Sequence, residues 1–132
     1  MQLKLLVLAM IVFLAGCRPI AAPTATPVPT PAFAQLLKQY EAWQTQALAR
    51  IDAYDADPTI FADSTWRLQT AAILADAEQT VRALAERAGR NRDVYFGLAD
   101  SYAWAAESAA AGDVFSFATA GYNIRLQIDM VE

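Results

Sequence analysis

FAQLLKQYEAWQTQALARIDAY, residues 33 to 54, is the stretch whose reading decides the fold. Phe33, Leu36, Leu37, Tyr40, Trp43, Ala47, Leu48, Ile51 and Tyr54 recur at steps of three and four. That spacing stacks them on one face of an α-helix and leaves the polar residues between them on the other. Asp55-Ala56-Asp57-Pro58 ends the pattern, because the ring of Pro58 drives the residue before it out of the α region.

The same period continues downstream in three more segments. A second helix is expected from an N-cap at Asp63 or Ser64 through Trp66, Ile73, Ala77, Val81, Leu84 and Ala88 to Gly89, which suits a left-handed stop. Ile60 and Phe61 should pack beneath its first turn. A third starts between Asn91 and Asp93, buries Val94, Tyr95, Leu98, Tyr102 and Ala106, and stops at Gly112. Asp113 then caps a fourth, in which Phe117, Gly121, Ile124, Ile128 and Val131 share a face. No stretch alternates like a strand, and alanine, the best helix former, is abundant. Short turns make neighbouring helices antiparallel. The expected fold is therefore all-α, an up-down antiparallel four-helix bundle over residues 33 to 132. A three-helix domain with a frayed fourth is the alternative, since Val114 to Ile128 is rich in β-branched and aromatic residues.

Upstream of the bundle the composition changes abruptly. Arg18 to Ala32 (RPIAAPTATPVPTPA) holds five of the six prolines, which makes residues 17 to 32 a linker rather than a helix. Stretched at about 3.1 Å per residue, such a segment reaches roughly 45 Å. Before it, Leu5 to Leu14 is an unbroken apolar run preceded by Lys4, the pattern of a secretory signal. The run is too short to span a bilayer, which needs about 20 apolar residues.

Leu14-Ala15-Gly16-Cys17 closely resembles the lipobox of bacterial lipoproteins, with Leu at −3, small residues at −2 and −1, and Cys at +1. The resemblance implies that residues 1 to 16 are a signal peptide cleaved between Gly16 and Cys17. It also implies that Cys17 carries a thioether-linked diacylglyceryl group, with palmitate-like chains holding the protein to a membrane. Two or three chains suffice for stable anchoring, where one does not. Cys17 is the sole cysteine, so no internal disulfide competes for it. Arg18, rather than Asp, follows the lipidated position, which implies the outer membrane or cell surface. The expected place is thus the extracytoplasmic face of the cell envelope.

Chemistry is scarce in what remains. Histidine is absent, which excludes Ser-His and Cys-His catalysis and the Glu-x-x-His motif of carboxylate bundles. Without residues 1 to 16 the chain has nine basic residues against fourteen acidic ones, a balance unsuited to a nucleic-acid partner. Asp52, Asp55, Asp57 and Asp63 are the densest carboxylates, but an EF-hand begun at Asp55 would place Pro58 in its loop and Trp66 where the bidentate Glu belongs. They read as caps and solvated acids. No catalytic residue, metal ligand or cofactor is expected, and we read the protein as non-enzymatic.

Two surfaces stand out instead. Arg82, Arg87, Arg90 and Arg92 form the one basic cluster, a candidate patch for an anionic partner, a lipid headgroup or a cell-wall polymer. The pairs Glu78/Arg82, Arg82/Glu86 and Glu86/Arg90 at four-residue spacing give it a simpler reading as helix ion pairs. Trp104 and a second apolar stripe on the last helix, Phe115, Ala118, Tyr122 and Leu126, lie off the expected core face and suggest a protein partner or self-association. A small-molecule site among the aromatics Trp43, Tyr54, Trp66, Tyr95, Tyr102, Trp104, Phe115, Phe117 and Tyr122 is the alternative. A carboxylate-only glycan hydrolase ranks last, since no acid pair is singled out.

Overall fold

Four helices make up the computed structural model, which describes residues 31–132: α1 (Phe33–Ala56), α2 (Ser64–Ala85), α3 (Arg92–Ala111) and α4 (Val114–Val131). Short 3-10 turns at Pro58–Ala62 and Gly89–Asn91 join the first three, and there is no strand among the described residues. The expected signal segment, Cys17 and nearly all of the expected linker lie outside the described residues. Consecutive helices run antiparallel. Arg82 of α2 meets Asp100 of α3, and Ser101 of α3 meets Gln127 of α4, pairs centred on the turns between them. The fourth helix is not frayed. Packing of Phe117, Ala120, Ile124 and Ile128 into the core outweighs the weak helix propensity of its β-branched and aromatic residues.

Local chemistry sets where each helix begins and stops. Asp63 caps α2, its Oδ1 accepting from the backbone N–H groups of Thr65 at 2.8 Å and Trp66 at 3.3 Å. Asp57 accepts from Thr59 N–H at 3.1 Å ahead of the 3-10 turn. Asp113 caps α4 by accepting from the Ser116 N–H at 3.0 Å and the Ser116 hydroxyl at 2.7 Å. The bond from the Ser116 backbone, then that from its hydroxyl, holds the Asp113 carboxyl below the usual carboxylate range. Gly112 closes α3 at φ 75°, a left-handed conformation that a Cβ would strain.

The second helix is shorter than its pattern suggests. It ends at Ala85, and the chain turns through Glu86 to Gly89 (φ 56°), where the second 3-10 turn starts. Arg90 is therefore not one helical turn beyond Glu86, and among the described residues the expected Glu86/Arg90 and Arg82/Glu86 pairs are both absent, leaving only Glu78/Arg82 of the three.

The core also corrects one register. On α2 the buried set is Trp66, Thr70, Leu74, Ala77, Val81, Leu84 and Ala85, while Ile73 and Ala88 are only half-buried. Thr70 was not expected inside because it is polar, and without it the stripe falls one residue short, on Ile73 instead of Leu74. On α3 the buried arc is wider than the named stripe, taking in Ala99, Ala105 and Ala109, because this helix packs against both α2 and α4. Phe61 does lie under the start of α2. Its ring centroid is 5.1 Å from that of Phe117, which is also ringed by Tyr54 at 5.3 Å and Trp66 at 6.2 Å. These edge and tilted contacts fill the end of the bundle away from Phe33.

Across the bundle, α1 is tied to α4 by Arg125, which donates to Asp52 at 2.6 Å and Asp55 at 2.7 Å. Gly121 lets the helices approach: a Cβ there would stand 3.1 Å from Cγ2 of buried Ile51. Residues Pro31–Glu132 form one compact unit, and the whole buried cluster from Leu36 to Ile128 lies inside it. The unit thus contains the core it needs to fold by itself.

Candidate functional surface

Helix α4 is apolar on two opposite sides. One carries Phe117, Ala120, Gly121, Ile124 and Ile128 into the core. The other leaves Phe115 79%, Tyr122 62%, Leu126 47% and Met130 68% exposed. Successive steps of seven, four and four hold these four in one stripe, about 22 Å long at 1.5 Å per residue. Asn123 and Gln127 flank it on one edge, Arg125 and Asp129 on the other. Met130 was missed in the sequence reading, although its spacing of four from Leu126 was available as the signal.

Trp104 is 38% exposed. It borders a shallow groove of about 230 Å³ at the α3–α4 turn, shared with Glu107, Ser108, Ala111, Asp113 and Ser116. Neither Phe115, Tyr122 nor Leu126 lines that groove.

The four arginines of the basic cluster divide into one and three. Arg82 is taken up internally, 2.6 Å from Glu78 and 2.9 Å from Asp100, and these bonds, Glu78 first, raise its pKa further. Its pairing across to α3 was not foreseeable from sequence, because Asp100 is eighteen residues away. Arg87, Arg90 and Arg92 make no ion pair among the described residues. Arg87 donates instead to the carbonyl of Pro31, and Arg92 lies over the Phe96 ring at 5.2 Å. Arg90 is exposed in the turn between them.

Tyr54, Phe61, Trp66 and Phe117 pack on one another, and the Tyr40 and Tyr102 hydroxyls share a buried 3.3 Å hydrogen bond between α1 and α3. Burial, above all, pushes the Tyr102 phenol up to about 12 and the Tyr40 phenol higher still. A groove of about 340 Å³, open to solvent, is lined by Leu48, Asp52, Arg125, Ile128 and Asp129, none of them aromatic. Among the described residues no group of three or more His, Cys, Asp or Glu could hold a metal ion. No described helix is long and apolar enough to cross a membrane. Comparison of the chain with protein-family models, with curated proteins and with solved structures found no match.

Proposed function

We propose that this protein is a lipid-anchored module of the bacterial cell envelope, held through Cys17 to the outer face of a membrane, whose helical domain works by binding another protein rather than by catalysis. The observation that carries the binding half of this reading is the outer stripe of α4. Phe115, Tyr122, Leu126 and Met130 stay in water although the helix already has a complete buried face. Keeping that much apolar surface wet is unfavourable, at about 25 cal/mol per Å², so a covering partner would be stabilised by it. The anchoring half rests on the lipobox resemblance at Leu14-Ala15-Gly16-Cys17 and on the linker that follows.

Two measurements test the reading. The membrane-associated protein should carry the added mass of a diacylglyceryl group on Cys17, and Cys17→Ser should release it from the membrane fraction. Tyr122→Glu with Leu126→Glu should abolish association, self-association included, while leaving the melting temperature unchanged, since neither side chain is in the core. An unmodified Cys17 overturns the anchor; unchanged crosslinked complexes on intact cells overturn the α4 surface.

A further inference from the structure

The chain comes into α1 beside the α2–α3 turn, a placement fixed by the hydrogen bond from Arg87 to the Pro31 carbonyl. At this tether end of the bundle stand Arg87, Arg90 and Arg92, with Lys38 about one turn further in. Glu86, Asp93 and Glu132 are at the same end and pair with none of the three arginines. The opposite end is richer in acids. Asp55, Asp57, Asp63 and Asp113 cluster around the turns after α1 and α3. Arg67, one turn into α2, spends its guanidinium on the Phe61 carbonyl at 2.8 Å. The domain as a whole is acidic, eight basic residues against fourteen, yet of the five arginines outside any ion pair among the described residues three, Arg87, Arg90 and Arg92, stand where the tether leaves it, the other two being Arg67 and Arg50, which lies over the Trp66 ring at 5.8 Å.

From this charge polarity we infer that the tether end is a docking face for an anionic phospholipid bilayer, with Arg87, Arg90 and Arg92 on the headgroups and the aspartate-rich end turned away. The inference rests on the lipid-anchor reading, which makes a bilayer the nearest surface. Guanidinium groups suit it chemically, since their planar fork bonds two phosphate oxygens together. Within a Debye length, about 8 Å at physiological salt, an anionic surface attracts this end and repels the other, so a tethered domain stands end-on. Such a posture would leave the α4 stripe, which runs along the bundle, accessible from the side.

Residues 31–132 carrying an N-terminal histidine tag would be tethered to nickel-chelating phosphatidylcholine vesicles, with or without phosphatidylglycerol. A single fluorophore is placed at Asn91→Cys, in the tether-end turn, or at Ala110→Cys, near the far end, and is quenched by nitroxide-headgroup lipid. We expect strong quenching at 91 and little at 110, on phosphatidylglycerol vesicles only. Raised salt should remove it. Arg90→Gln, a change at an exposed position, should cut the docked population about fivefold, and the triple change with Arg87→Gln and Arg92→Gln roughly a hundredfold. Equal quenching at both sites, no dependence on phosphatidylglycerol, or an unaltered Arg90→Gln response would overturn the docking face. Because the tag replaces Cys17, such a failure leaves the lipid anchor standing; an unmodified Cys17 in cells would overturn the anchor without changing the vesicle result.

Discussion

Thr70 is fully buried in α2, and its hydroxyl finds no hydrogen-bond partner. The usual resort of a helical threonine, the carbonyl one turn back, serves Thr45, Thr80 and Thr119 in this molecule but not Thr70. An unpartnered buried hydroxyl carries its full desolvation cost, about 1 to 3 kcal/mol. Thr70→Val keeps the shape and removes the polar atom. It should therefore raise the free energy of unfolding by about 1 kcal/mol, read as a higher urea midpoint at unchanged slope. A lower midpoint would mean the hydroxyl is satisfied in solution. The same residue marks where the sequence misleads: reading polar residues as outward passes over Thr70 and shifts the expected stripe to Ile73.

At the scale of elements, the contact between α1 and α3 is marked by the Tyr40–Tyr102 hydrogen bond. Both phenols ionise above their ordinary value of 10.0 in the folded state, Tyr102 at about 12, because burial penalises phenolate. In the unfolded chain they ionise near 10, so the folded state binds more protons above that pH. Stability from this pair is thus complete below pH 10 and falls as pH rises from about 10 through 12. Thermal melts should show that loss in the native protein and much less of it in the Tyr40→Phe, Tyr102→Phe double variant. An identical decline in both would assign the alkaline transition to other groups. Helix ends were legible wherever a cap was a local matter: Asp63, Gly112 and Asp113 each act within a few residues of themselves. The early end of α2 was not, since nothing between Ala85 and Gly89 breaks a helix by itself.

For the molecule as a whole, the buried cluster lies entirely within Pro31–Glu132, so residues 31–132 should unfold in one cooperative transition, with coincident loss of helix ellipticity and tryptophan signal. Two separated transitions would show that α1, which meets α4 chiefly through side chains such as Arg125 and Ile51, melts on its own. Much of this architecture was written in the sequence. Periodic apolar residues at steps of three and four, punctuated by Pro58, Gly89, Gly112 and the capping aspartates, determine four helices, because helix faces and caps are set by neighbours a few residues apart. The spare apolar stripe of α4 was visible for the same reason. Only the tertiary structure decided which cations are free. Arg82 is neutralised by Asp100 and Arg125 by Asp52 and Asp55, across gaps in sequence that no local pattern spans. It also decided that Arg87 lies beside Pro31, since only antiparallel packing brings a turn some fifty-six residues distant to the start of α1.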